Sequence, residues 1–232
     1  MNIEATATSV AEKIRPQAND IEQARRLPAH IAKMIADAGL FRMLIPRDIN
    51  GMECHPAEAL RAMEILGNAD ASAGWCLMIA ATTGVTSAYM EKSAALNVFG
   101  SADTITGGVF APMGKAVQSS NGSYQLSGHW QWASGSANCH WLLGGAIVMD
   151  GNKPRMNQYG MPDARQFLFP ADQITLPDTW HVNGLCGTGS GDMVADNIEI
   201  PAAHSVSITY DKPVAEGPLY AFPVFGLLAL GI

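Results

Sequence analysis

The stretch GHWQWASGSANCHWLLGG, residues 128–145, gathers three of the chain's five tryptophans, Trp130, Trp132 and Trp141, with His129, His140 and Cys139. Flat indole faces among small residues suit one of two ends: a packed β core, or the wall of a pocket for a flat ring. Trp132 and Ser134 lie two apart, so on a strand they share a face. The indole would then wall a ring, and the hydroxyl would donate to a ring nitrogen or carbonyl. A second candidate is WHVNGLCGTGSGDMVADNIEIP, residues 180–201, where Gly187, Gly189 and Gly191 alternate with Thr188 and Ser190. Such a backbone either approaches a ligand closely or turns a corner, and it brings hydroxyls and amide N–H groups to both tasks. A third is Asp70–Gly84, which carries Trp75 and Cys76 in an uncharged run; its Thr82 and Thr83 hydroxyls face a pocket or bond back to their own helix.

His129, His140 and His181 lie within these segments and are candidates for acid–base work by proximity alone; a structural role is the plainer reading of each. The sequence shows no Ser-His-Asp or Cys-His arrangement in a familiar context, so it assigns no catalytic residue. The cysteines, Cys54, Cys76, Cys139 and Cys186, form no C-x-x-C pair. Cys54-His55 and Cys139-His140 are immediate neighbours, which is poor spacing for zinc. No metal is expected, and the cysteines read as buried free thiols in a reducing compartment.

The elements that must position these residues change character along the chain. At 232 residues, 48% hydrophobic and 15% charged, it has material for a sizeable core. A formal charge of −7 disfavours nucleic acid and anionic membranes as partners. No apolar run reaches the roughly 18 to 20 residues of a membrane span. The N-terminus lacks the apolar centre of a secretory signal, and a cytoplasmic protein is expected. Before residue 100 the spacing is helical. Pro16 bends or ends a first helix, Pro28 opens one that Gly39 stops, and Pro56 opens another with Leu60, Met63 and Leu66 inward and Gly67 as its end. Asp70 is the N-cap of a helix without a polar face, hence one buried on most sides. EKSAALNVF is a short helix closing at Gly100. From residue 103 short β-rich runs alternate with turns, and Asn121-Gly122 marks a hairpin. No helical pattern separates these runs, which predicts an antiparallel sheet and an α+β protein. G-x-G-x-x-G and P-loop phosphate cradles are absent from the sequence.

Taken together, these stretches resemble the acyl-CoA dehydrogenase superfamily, from about residue 10 to the end. AGLFRMLIPRDINGM is similar to the family's helix end and loop, and NADASAGWCLMIAATTG to its buried helix beside the active site. LSGHWQWASGSANCHWLL resembles the strand that sets a tryptophan and a serine or threonine against the flavin, and NGLCGTGSGDMVADNIEIP the G-x-x-G-[ST] loop and closing strand. The resemblance implies a helical N-terminal domain over residues 1–102, a β-barrel-like middle domain over 103–215, and the start of a C-terminal helical bundle over 216–232. Most of that bundle lies beyond this sequence.

The resemblance also implies FAD or FMN as cofactor, with Trp132, Ser134, Thr188 and Ser190 in its site and Ser134 close to the flavin N5 edge. It implies a homo-oligomer. The first expectation for function is an acyl-CoA dehydrogenase-like oxidoreductase acting on an acyl thioester, as a fragment of the full enzyme. The alternative is a monooxygenase that takes reduced flavin from a flavin reductase and hydroxylates an aromatic compound, to which W-A-S-G and G-T-G-S are closer. A non-catalytic interaction subunit is the alternative of another class. The apolar tail, GPLYAFPVFGLLALGI, is expected to cover itself against a second copy of the chain or to fold back on the N-terminal helices, the former preferred.

Overall fold

The computed structural model describes residues 2–222. Its first part is helical, and local chemistry sets most of the boundaries. Asn2 caps α1 (Ile3–Ile14) by accepting from the Ala5 N–H at 3.1 Å. Pro16 sits in a 3₁₀ turn, Arg15–Gln17, that bends the chain into α2 (Ala18–Ala24). Pro28 precedes α3 (Ala29–Asp37), and Gly39 leaves it in the left-handed region at φ 74°. There follow α4 (Pro56–Ala69), α5 (Ala71–Thr83) and α6 (Lys92–Phe99). Asp70 ends α4 and caps α5, accepting from the Ala73 N–H at 2.8 Å.

Two helical expectations need correction. Gly67 does not stop α4, which runs on to Ala69. Its place is at the crossing of α4 and α5, where a Cβ added to Gly74 would lie 2.5 Å from the Gly67 Cα, so Gly74 permits close backbone approach. Leu60 does not face inward. It is 37% exposed, while Met63 and Leu66 are buried. The expected burial of α5 holds: Ala73, Cys76, Leu77, Ala80 and Ala81 are all in the core. Its threonines bond back, Thr82 Oγ1 donating to the Met78 carbonyl at 2.7 Å and Thr83 Oγ1 to that of Ile79 at 2.8 Å.

The second part is a seven-stranded sheet: β1 (Thr106–Gln118), β2 (Tyr124–Trp130), β3 (Trp141–Asp150), β4 (Lys153–Pro154), β5 (Ala164–Pro170), β6 (Met193–Ile200) and β7 (Ser205–Val206). The order is β6-β2-β1-β3-β5-β7, with β4 paired to β3. The Asn121-Gly122 hairpin joins β1 to β2, with Gly122 at φ 87°. Among the described residues all pairings are antiparallel except one: β1 and β3 run parallel, Thr106 opposite Trp141. The sheet is therefore mixed where antiparallel pairing was expected. The cause is the connection: residues 131–140 leave β2 on one edge of β1 and carry the chain to the other edge, so β3 starts at the same end as β1.

The sheet curls. Phe167 and Phe169 of β5 share one buried cluster with Met193, Ala195 and Ile200 of β6, although three strands separate β5 from β6 in the sheet. Trp130 is at the centre, fully buried, its indole N–H donating to the Gly145 carbonyl at 2.7 Å. Gly114, Gly128 and Gly144 surround the ring; Cβ atoms at Gly114 and Gly144 would stand 2.5 and 2.7 Å from its Cζ2.

Leu219 and Tyr220 fold back into the N-terminal helical core, and the Tyr220 hydroxyl donates to the Leu44 carbonyl at 3.2 Å. Residues 218–221 form turns, and Phe222 is 42% exposed. The rest of the apolar tail, Val224, Phe225, Leu227, Leu228 and Leu230, lies outside the described residues. Among the described residues no helix is long and apolar enough to cross a membrane.

Candidate functional site

Two loops singled out by composition meet in space. One is the crossover 131–140; the other is the glycine-rich segment ahead of β6. The Ala133 N–H donates to the Gly191 carbonyl and the Gly135 N–H to the Thr188 carbonyl, each at 2.8 Å. Between these straps the side chains join. Ser134 Oγ is 2.6 Å from Ser190 Oγ, and Ser190 Oγ is 2.6 Å from Thr188 Oγ1. Thr188 Oγ1 donates to the Leu185 carbonyl at 2.8 Å, and from α5 the Trp75 indole N–H donates to Ser134 Oγ at 2.9 Å. Ser134, Thr188 and Ser190 are 4%, 1% and 5% exposed, so each hydroxyl needs these partners. Gly187 lets the loop press against the helices, since a Cβ there would meet Ile21 and sit 3.0 Å from Ser72 Oγ.

Trp132 is placed differently from the strand-based expectation. β2 ends at Trp130, and Trp132 does not share a face with Ser134: its side chain is 66% exposed on a backbone at φ 64°. A bulky residue in the left-handed region costs on the order of 1–2 kcal/mol, so the surroundings hold it there. The holding contacts are Ser134 N–H to the Trp132 carbonyl at 2.9 Å and the Ala133–Gly191 strap. Of the three clustered tryptophans, Trp130 is core and Trp141 stacks edge-on against His204, with centroids 5.2 Å apart. Trp132 is the one that offers an open face.

The histidines take supporting places. The His140 Nδ1 accepts the Ile105 N–H at 3.1 Å. His129 Nε2 lies 2.6 Å from Asp192 Oδ2, just past the glycine-rich loop on the sheet surface. His181 is exposed beside Arg25 and Asp178. Arg25 carried no sequence signal, yet it anchors the approach to the loop. It donates to Asp178 at 2.6 Å and to the Trp180 carbonyl at 2.9 Å. The hydrogen bond from Arg25 holds the Asp178 carboxyl below its ordinary range. Asn138 donates to the Leu27 carbonyl at 2.9 Å, a second tie between the loops and the helices. Burial pushes the Cys76 thiol far up and Cys139 up to about 12, so neither is a thiolate nucleophile at neutral pH.

Behind Ser134, toward the helices, a void of about 10 Å³ lies among Leu27, Phe41, Cys76, Ile105 and Cys139. That is room for one water at most. A ligand at these loops has no room on that side. A larger cavity, about 980 Å³, is elsewhere, lined by Arg47, Glu53, His55, Leu60, Leu219 and Phe222. It contains none of the four candidate residues, and chemistry rather than size selects the loops.

Residues 1–101 match the family model described as acyl-CoA dehydrogenase, N-terminal domain. The chain is 31% identical over 199 residues to the oxygenase subunit HsaA of a flavin-dependent monooxygenase from Mycobacterium tuberculosis, covering 85% of this chain and 48% of that protein. It is 34% identical over 193 residues to the oxygenase component of an FADH(2)-dependent resorcinol hydroxylase from Rhizobium sp. (strain MTP-10005), covering 83% and 46%. The crystal structure of the HsaA monooxygenase from M. tuberculosis matches with a TM-score of 0.87 at 27% identity, over 99% of this chain and 62% of that one. The chain spans about half the length of the curated relatives it matches.

Proposed function

The chain belongs to the acyl-CoA dehydrogenase superfamily, and from that premise we propose that it carries the helical and sheet units of a two-component flavin-dependent monooxygenase. The whole enzyme takes reduced FAD or FMN from a separate flavin reductase and hydroxylates a small aromatic compound. The observation that carries this reading is likeness to oxygenase components at 31% and 34% identity over more than four-fifths of the chain. It favours hydroxylation over the acyl thioester dehydrogenation that the sequence alone put first. Two of the cations in the sheet region are already paired. Arg155 and Arg165 are engaged with Asp163 and Asp211, which leaves them poorly free to clamp the phosphates of a CoA thioester.

The site residues fit a flavin by their chemistry: an open indole face at Trp132, a buried hydroxyl at Ser134, and a closed wall behind it. Bound reduced flavin would supply two electrons to dioxygen, one oxygen atom entering a ring C–H bond as hydroxyl and the other leaving as water. The chain's own part is orientation. Trp132 walls the ring, Ser134 lies at its N5 edge, and Thr188 and Ser190 hold Ser134 in place. The assembled enzyme is a homo-oligomer.

The test uses full-length protein with a flavin reductase, NADH and labelled dioxygen, across a panel of phenols and indoles. The expected result is substrate-dependent incorporation of one labelled oxygen. Anaerobic bleaching of bound flavin by an acyl-CoA would instead establish the dehydrogenase. Neither activity across both panels would leave the non-catalytic interaction subunit.

A further inference from the structure

The hydroxyl chain through Ser134 has a direction. Its two ends are chemically fixed: the Trp75 indole N–H can only donate, and the Leu185 carbonyl can only accept. Each hydroxyl between them has one proton. Only one arrangement then makes every bond. Trp75 donates to Ser134, Ser134 to Ser190, Ser190 to Thr188, and Thr188 to Leu185. Reversing the middle leaves the 2.8 Å Thr188–Leu185 contact without its proton, at a threonine that is only 1% exposed.

In that arrangement the Ser134 proton points inward, and one of its lone pairs takes the indole N–H. A single lone pair is left for any further partner. The sequence suggests a serine that donates to a ring; the network makes it one that accepts. We propose that Trp75, Ser190 and Thr188 are positioning residues which fix Ser134 as a hydrogen-bond acceptor toward the ring at Trp132. The inference rests on the flavin reading above. Flavin N5 is a bare acceptor when oxidised and carries an N–H when reduced. The fixed Ser134 lone pair therefore matches the reduced ring and opposes the oxidised one, and the selection is set by the hydrogen-bond chain that holds Ser134.

The test is anaerobic titration of full-length protein with oxidised and with reduced FMN and FAD, reading the ratio of the two dissociation constants. Wild type should bind the reduced form more tightly. Thr188→Val removes the anchor at Leu185, lets the chain reverse, and should shrink that preference about tenfold, the equivalent of one neutral hydrogen bond. Ser190→Ala removes the acceptor of the Ser134 proton and should do the same, which covers the case of one variant folding poorly. Thr188→Ser, which keeps the hydroxyl, should retain the wild-type ratio. A purely structural role would weaken both forms alike. If Thr188→Val and Ser190→Ala bind flavin with the wild-type ratio, the inference is wrong and the flavin reading stands. If wild type binds neither form, both fall.

Discussion

Replacing Gly144 by alanine tests whether Trp130 is the rigid wedge that shapes the sheet. Gly144 has no positive φ, so alanine is allowed by the backbone and the effect is one of space alone. The added Cβ would stand 2.7 Å from Cζ2 and 2.9 Å from Cε2 of Trp130, and 3.1 Å from Cζ of Phe169. Neither neighbour is the loose end of a flexible chain. The indole is pinned by its 2.7 Å bond to the Gly145 carbonyl, and the Phe169 ring is packed against it with centroids 6.1 Å apart. Overpacking of a filled core costs typically 1–3 kcal/mol. At about 2–4 °C per kcal/mol for a chain of this size, the midpoint of thermal unfolding should fall by about 2–12 °C. Gly67→Ala is the matched control. No atom lies within 4 Å of its added Cβ, and a helical glycine replaced by alanine gains about 0.5–1 kcal/mol. Both variants are followed by circular dichroism through melting. A Gly144→Ala protein that melts with the wild type would show that the ring yields, and the rigid-wedge account would be refuted.

Two further outcomes follow from ionisation. The Asp178 carboxyl, lowered chiefly by its hydrogen bond from Arg25, contributes stability above its unfolded value and loses it as pH falls through its lowered folded value. The stability gap between wild type and Asp178→Asn, read by urea melts, should therefore be present at neutral pH and close in acid; a gap unchanged at the acid end would contradict the pairing. The buried thiols behave oppositely: burial raises Cys54 from 9.0 to about 11 and Cys76 further. Their contribution is complete below the unfolded thiol value and erodes as pH rises through the folded ones, and both should resist a thiol reagent at pH 8 in native protein while reacting once it is unfolded.

The helices were legible because their ends are local events. Asp70, Pro28, Gly39 and Pro56 act on backbone groups within a turn of themselves, and each stands where its type suggests. Gly67 misled because a glycine inside a helix need not end it; it sits at the crossing with α5, where the missing side chain that matters is that of Gly74. The sheet's topology was less readable. Strand sequences carry the alternation of faces but no mark of which edge of β1 the next strand will take, so the parallel β1–β3 pair escaped notice. Period-two reasoning also assumed that β2 continued through Trp132 and Ser134, whereas the crossover had already begun.

The site shows where such reading gains and loses power. Ser134, Thr188 and Ser190 were identified from two segments far apart in the chain, and they meet because each segment is rich in small polar residues. Buried together, their hydroxyls have few other partners. Trp75 was read as core, which its half-buried ring allows, but its N–H reaches across 59 positions to Ser134. Arg25 reaches across 153 to Asp178. Nothing near either residue in sequence specifies that partner. The consequence is larger than two missed contacts. A serine's position can be inferred from its neighbours, but whether it donates or accepts is decided at the far ends of its hydrogen-bond chain. Here those ends are an indole on a helix and a carbonyl in a loop, and the sense of the Ser134 hydroxyl is a property of the assembled fold that no single stretch of sequence contains.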